Sequence, residues 1–121
     1  MHPDHVIEGV DVPSIYEVPL VMFEQNMVGL INDRLKLNKE PDISHLQEFN
    51  ERYKQPKHKV TIAMCGKYTE LIDSYKSVLE AFIHSGVENN AHVDVKWIHT
   101  EKVVDDASAA KAFKDINGWK I

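Results

Sequence analysis

The sequence predicts an α/β fold, in which a helical N-terminal segment precedes an incomplete, doubly wound parallel β-α-β-α-β unit. Three observations support this prediction. Apolar residues recur at helical spacing as far as Tyr53, an almost continuous apolar run follows at residues 60–65, and helix-like and strand-like segments alternate from there onwards. The 121 residues suffice for one small domain or for two partial ones.

Short helices are predicted throughout the N-terminal part. Gly29 weakens the helical pattern of the first stretch, so we predict two helices there, at about residues 14–25 and 27–37. A polar linker follows at residues 38–41, and Asp42 then begins a third helix. The apolar side chains of this third helix fall on one face: Leu46, Phe49 and Tyr53.

The pattern changes at residues 56–59, the linker PKHK, which is the predicted domain boundary. Residues 1–57 then form the helical part and residues 58–121 the α/β part. The apolar run 60–65 is closed by Gly66, which is typical of a buried parallel strand.

A helix is predicted directly after this strand. Asp73 or Ser74 is expected to cap it, and Ser85-Gly86 to end it. Its apolar face consists of Tyr75, Val78, Leu79, Phe82 and Ile83. The remaining predicted elements are an alternating strand at 92–99, a helix at 107–114, a turn at 117–118 and the start of a strand at 119–121.

Composition argues against several classes of function. The chain has 14 Lys and Arg against 19 Asp and Glu, a formal charge of −5, which disfavours binding to nucleic acid or to an anionic membrane through bulk charge. No apolar run approaches the roughly 20 residues of a membrane span, and the N-terminus lacks the pattern of a signal peptide. We therefore expect a cytoplasmic location and neither a nucleic-acid nor a membrane partner.

The spacing of reactive residues predicts no catalytic or metal site. Cys65, the single cysteine, stands at a strand end, where a buried apolar role is more usual than a nucleophilic one. Gly66-Lys67 lacks both the earlier glycine and the following Ser or Thr of a phosphate loop. The seven histidines include no helical pair of the zinc-binding type, and Asp105-Asp106 is typical of a helix start.

Two long strings carry a family resemblance. The first is HPDHVIEGVDVPSIYEVPLVMFEQ at residues 2–25, and the second is KVTIAMCGKYTELIDSYKSVLEAFIHSG at residues 59–86. Both resemble CTP synthase, the glutamine-dependent enzyme that aminates UTP with ATP, and the resemblance extends over residues 3–118. It implies that residues 1–57 match the end of the synthetase (amidoligase) domain with its linker. Residues 58–121 match the start of the class I glutamine amidotransferase domain.

The resemblance also implies roles for particular residues. Val10, Asp11 and Val12 match the segment that borders the adenine of ATP. Tyr75 and Lys76 match the face toward the synthetase domain, which is associated with GTP activation and ammonia transfer. The glutaminase nucleophile and the phosphate and magnesium ligands of the family match nothing in this chain, so we expect no catalytic or metal-ligating residue here and no tight binding of ATP or Mg²⁺ by the chain alone.

Two interpretations of the chain follow. In the first it is a fragment or truncated member of CTP synthase, inactive by itself. Its partners are then the remaining synthetase and glutaminase domains, in a homo-oligomer that is tetrameric in the family. In the second it is an independent small α/β interaction or regulatory module that binds an intact synthase or oligomerises with it.

Overall fold

The computed structural model describes residues 3–114 and residue 116, and its contacts divide the chain after Glu51 into two compact units. The order of elements, helices first and then strand–helix–strand, confirms the predicted α/β class. The turn predicted at 117–118 and the strand predicted at 119–121 lie outside the described residues. The assignment of residues 1–57 and 58–121 to two enzyme domains stays a prediction.

Unit 1 contains the two helices predicted for its first stretch. A 3-10 turn at Ile15–Glu17 leads into α1 (Val18–Glu24), and α2 (Met27–Leu35) follows. Asn26 separates the two helices in the left-handed conformation, with φ of 60°. Lys36 ends α2 in the same way, with φ of 53°, so that this helix is shorter than the sequence suggested.

The third helix, α3 (Ser44–Lys54), begins close to the predicted start. Oδ1 of Asp42 accepts a hydrogen bond from the backbone nitrogen of Ser44 at 2.9 Å, which satisfies an otherwise unpaired donor of the first turn. Hydrogen bonds from Ser44 lower the pKa of the Asp42 carboxyl below its usual value.

A buried asparagine fixes α3 within unit 1. Asn50 is only 3% exposed, and its Nδ2 donates to the carbonyl oxygens of Tyr16 and Leu46, each at 2.8 Å. The rings of Tyr16 and Phe49 lie 4.7 Å apart beside it. These contacts join α3 to the 3-10 turn although the two segments are more than thirty residues apart in sequence.

Unit 2 is built on two parallel strands, β1 (His58–Gly66) and β2 (Ala91–His99), which pair in register from end to end. Paired residues of a parallel sheet share a face, so the apolar residues of the two strands lie together: Val60, Ile62 and Met64 with Val93, Val95 and Trp97. The parallel pairing is as predicted. Among the described residues, however, β1 is half-buried rather than buried, because the sheet has only two strands.

The connecting helix, α4 (Lys76–Glu88), starts differently from the prediction. A 3-10 turn at Ile72–Tyr75 precedes it, and Tyr75 occupies the N-cap position without a side-chain hydrogen bond. The prediction that Asp73 or Ser74 caps the helix is therefore wrong. Both residues lie inside the 3-10 turn.

The end of α4 also differs, since Gly86 lies within the helix instead of ending it. This glycine and Val87 are both buried where α4 packs on β2, and Val87 is 6% exposed. Val78 is 38% exposed, so that one member of the predicted apolar face points away from the core.

The last described helix, α5 (Asp106–Phe113), begins with a capping box. Oδ1 of Asp105 accepts from the backbone nitrogen of Ser108 at 2.7 Å, and Oγ of Ser108 accepts from the nitrogen of Asp105 at 3.0 Å. Hydrogen bonds from Ser108 lower the pKa of Asp105. The interpretation of Asp105-Asp106 as a helix start is confirmed. No helix in the described ranges combines the length and the apolarity that a bilayer span requires.

Candidate functional site

The two strands of unit 2 end side by side, with Gly66 of β1 paired to His99 of β2. Ligands of open parallel α/β sheets bind outside this end of the strands, where the loops that follow them meet. We use the name carboxyl edge for the residues gathered here, 66–76 and 99–102.

A part-buried hydrogen bond joins the two loops of the carboxyl edge. Thr69 is 2% exposed, and its Oγ1 lies 2.8 Å from Nδ1 and 3.3 Å from Nε2 of His99. Nε2 of His99 lies 3.7 Å from Oε1 of Glu70. The Thr69 hydroxyl donates to Nδ1 when that nitrogen is unprotonated and accepts from it when it carries the proton, so the tautomer of His99 sets the direction of the bond.

Hydroxyl, imidazole and carboxylate in this order are the parts of an activated nucleophile. Two observations argue against that chemistry. The hydroxyl of Thr69 is buried, so that a substrate cannot reach it, and the side chain of Glu70 is 80% exposed, so that it does not hold the imidazole as a buried acid does. We therefore interpret the group as a structural contact.

An exposed ion pair joins the same two loops. Nζ of Lys67 lies 2.9 Å from Oε1 of Glu101, and the two side chains are 57% and 63% exposed. The same ammonium lies 5.7 Å from the centre of the Tyr68 ring. Exposed pairs of this kind contribute little to stability, so the part-buried Thr69–His99 contact is the stronger connection.

Tyr75 and Lys76, the residues that the resemblance singles out, lie at this edge. A Cβ built on Gly66 would lie 3.3 Å from the Tyr75 hydroxyl and 3.4 Å from Cγ2 of Thr69, so both side chains pack directly over the glycine. The ring of Tyr75 meets that of Trp97 edge-on, with centroids 5.4 Å apart. Lys76 is the first residue of α4, and it is exposed.

The loop between β1 and α4 also exposes apolar surface. Tyr68 is 63% exposed, Leu71 60% and Ile72 51%. Cys65, just before the loop, is exposed as well, which contradicts the buried position expected for it. Its neighbour Met64 faces α4, and Cys65 therefore points to the opposite face of the sheet.

Val10, Asp11 and Val12 belong to unit 1, in the irregular stretch that precedes α1. Val10 is 43% exposed, Asp11 is exposed and Val12 is half-buried. The start of the stretch is fixed by Gln25, whose side-chain amide accepts from the nitrogen of Glu8 at 2.7 Å and donates to its carbonyl at 2.9 Å. Residues 10–12 and the carboxyl edge thus belong to different units.

An apolar hollow lies within each unit. The hollow of unit 1, of about 860 Å³, runs along α2 and is lined by His5, Ile7, Met27, Leu30, Ile31, Asp33, Arg34 and Leu35. The hollow of unit 2, of about 310 Å³, lies between α4 and β2, where Phe82, Val93 and Val95 form part of its wall. Within the described residues no group of three or more His, Cys, Asp or Glu side chains is arranged to hold a metal ion.

Sequence reasoning missed the Thr69–His99 contact. The two residues are thirty positions apart, and no spacing motif connects them. The signal that could have been used was position: Thr69 follows one predicted parallel strand and His99 ends the next. The ends of such strands meet at one edge of the sheet.

The helical segment and the following β-α-β unit define an α/β protein whose strand ends carry the candidate site. No protein-family model matches the chain. The CTP synthase of Flavobacterium psychrophilum is 43% identical to it over 115 residues, which are 93% of this chain and 21% of that protein. The CTP synthase of Azospirillum brasilense is 39% identical over 120 residues, or 98% of this chain and 22% of that protein. That of Methanocaldococcus jannaschii is 41% identical over 99 residues, or 81% and 18%.

The chain belongs to the CTP synthase family, and the resemblance found in the sequence is confirmed. It spans about a fifth of the length of the curated relatives that it matches.

Proposed function

We propose that this chain acts as the part of a CTP synthase that joins the synthetase domain to the glutaminase domain. The observation that carries the proposal is the identity of 43% over 115 residues, which extends across both compact units. The complete enzyme would hydrolyse glutamine and transfer the ammonia to UTP that ATP has activated. The comparisons do not favour the alternative of an independent module.

In this enzyme Val10, Asp11 and Val12 would border the adenine of ATP. The segment lies outside any helix or strand, and Val10 and Asp11 are exposed, so its backbone groups are available to the edge of a base. Phosphate and Mg²⁺ would be held by the rest of the enzyme, because their ligands in the family match no residue of this chain.

Tyr75 and Lys76 would face the synthetase domain and take part in the response to GTP. Lys76 is an exposed cation at the first residue of α4, where the helix dipole also favours an anion. The neighbouring Tyr68, Leu71 and Ile72 expose apolar surface of the kind that protein contacts bury.

The partners of the chain would be the remaining synthetase and glutaminase domains, within a homo-oligomer in the cytoplasm. The apolar hollow along α2 supports a partner for unit 1, since Ile31 is 40% and Leu35 63% exposed beside it. The occupant we propose for this hollow is the remainder of the synthetase domain.

A chimera tests this function. The matching segment of the Flavobacterium psychrophilum enzyme is replaced by this chain, and CTP formation is measured with glutamine and with ammonia, with and without GTP. We expect Lys76→Ala to lower GTP stimulation of the glutamine reaction by about tenfold, the effect of losing one charge-assisted hydrogen bond, and to leave the ammonia reaction unchanged.

The matched control is Lys111→Ala, which removes an exposed lysine from α5, outside the residues of the carboxyl edge. This variant should keep the full response to GTP. An equal loss in both variants, or none in Lys76→Ala, would refute the role of Lys76.

A further inference from the structure

Thr69 is the buried residue of a loop that is otherwise open to solvent. Between β1 and the start of α4, residues 67–74 are all exposed except Thr69, which is 2% exposed. A loop whose other side chains face water has few contacts to hold one conformation. The conformation of this loop therefore depends on the contacts that Thr69 makes.

The partner of Thr69 lies on the sheet itself. His99 is the last residue of β2, and its imidazole, 24% exposed, lies 2.8 Å from the hydroxyl of Thr69. The second connection between the two loops, Lys67 with Glu101, is exposed at both ends. The Thr69–His99 hydrogen bond is the stronger of the two, because it is part-buried and water competes less with it.

Thr69 and Tyr75, a residue of the proposed site, pack against the same glycine. Thr69 and Tyr75 both pack over Gly66, where a Cβ would lie within 3.4 Å of each side chain. Tyr75 is the N-cap of α4, and Lys76 follows it directly. A shift of Thr69 would consequently displace the start of α4, and with it the two side chains of the proposed GTP response.

We propose that Thr69 is a positioning residue, whose hydrogen bond to His99 holds the loop in the conformation that presents Tyr75 and Lys76. This role rests on the function proposed above for the carboxyl edge. Thr69 itself touches no ligand in this account, because its hydroxyl is buried.

Hydrogen exchange on the full 121-residue chain tests the contact itself. Thr69→Val keeps the shape of the side chain and removes the hydroxyl, and Thr69→Ser keeps the hydroxyl. We expect Thr69→Val to speed exchange of the loop amides by about 5- to 10-fold, the value of one net hydrogen bond, and Thr69→Ser to restore protection. Lys67→Ala, which removes only the exposed ion pair, should change exchange less than twofold by the same reasoning.

The same substitutions in the chimera test the positioning role. Thr69→Val should lower GTP stimulation about 5- to 10-fold with the ammonia reaction unchanged, and Thr69→Ser should recover it. If Thr69→Val unfolds the protein, His99→Phe, which keeps a ring and removes both nitrogens, serves as the second variant, with the same expectations.

The outcomes separate the two proposals. Unchanged exchange in Thr69→Val would refute the contact. Faster exchange with full GTP stimulation, while Lys76→Ala loses it, would refute the positioning role and leave the proposed function standing. If Lys76→Ala also keeps its response, the proposed function of the edge fails, and the positioning role with it.

Discussion

Gly86 of α4 packs so closely on the carbonyl of Ala91 that a Cβ built on the glycine would lie 2.6 Å from that oxygen. Real Cβ atoms do not approach a backbone oxygen to this distance, and a backbone atom of a strand cannot move away as the end of a flexible side chain can. This approach explains why a glycine is present within a helix, where alanine is otherwise the better helix former.

Gly86→Ala should therefore destabilise the chain despite its gain in helix propensity. We expect a loss of about 1–3 kcal/mol in the free energy of unfolding, measured by urea denaturation, as for other overpacked sites. Gly9→Ala is the control, since nothing lies within 4 Å of a Cβ at that position. A stabilising Gly86→Ala substitution would show that α4 and β2 do not pack as described.

Asn50 provides a second test of packing, within unit 1. Asn50→Ala removes the donor to the carbonyl oxygens of Tyr16 and Leu46 at a site only 3% exposed. We expect a loss of about 1–2 kcal/mol in the free energy of unfolding, because two part-buried hydrogen bonds are lost.

The control for this substitution is Asn32→Ala. Asn32 also donates to a backbone carbonyl, that of Lys39, at 2.7 Å, but its surroundings are exposed. Water can replace this lost bond, so the control should be close to neutral. Equal effects of the two substitutions would contradict the burial of Asn50.

Asp94 tests the electrostatics of the sheet face opposite α4. The hydrogen bond from Lys59, with Nζ 2.6 Å from Oδ2, is the main cause that lowers the pKa of Asp94, and His92 contributes. Lys59→Met should raise the pKa of Asp94 toward its ordinary value, as followed by NMR titration. Asp105, which Ser108 stabilises, serves as the unchanged reference in the same spectra.

The sign of the accompanying stability change follows from linkage. A carboxyl whose pKa is lower in the folded state stabilises the fold above its unfolded pKa, and loses that contribution as the pH falls through its folded pKa. Protonation of Asp94 removes this stabilisation as the pH falls below the ordinary pKa of 3.8. Lys59→Met should therefore make the loss of stability in acid smaller. A pKa of Asp94 that does not move would contradict the contact with Lys59.

Nucleotide binding by the chain alone should be weak. The segment Val10–Val12 would offer backbone contacts to adenine, whereas the family resemblance assigns no phosphate or metal ligand to this chain. Without charge-assisted bonds to the phosphates, we expect no saturable ATP binding below about 1 mM by calorimetry, with or without Mg²⁺. Micromolar, magnesium-dependent binding would contradict the proposed division of the ATP site.

The sequence predicted well those elements that depend on residues adjacent in the chain. The helix start at Asp105-Asp106 and the strand at the apolar run 60–65 each depend on neighbouring residues, and both appear where they were expected. Family membership was also accessible from long specific strings such as the one containing Tyr75 and Lys76.

The predictions were wrong where contacts between residues far apart in sequence determine the structure. Gly86 looked like a helix end, but its contact with Ala91 keeps it inside α4. Thr69 and His99 carried only a positional signal, at the ends of two predicted strands, because their contact exists only once the two strands pair in parallel. Cys65 was expected to be buried, and its exposure depends on how many elements cover the sheet.

The central claim, that this chain is the connecting part of a CTP synthase, is tested most directly by CTP formation in the chimera with the Flavobacterium psychrophilum enzyme. We predict that the chimera forms CTP from glutamine at a rate within about tenfold of the parent, a difference of about 1.4 kcal/mol in the barrier. The ratio of its glutamine to its ammonia reaction should also stay close to that of the parent. A folded chimera that forms CTP from neither glutamine nor ammonia would contradict the claim.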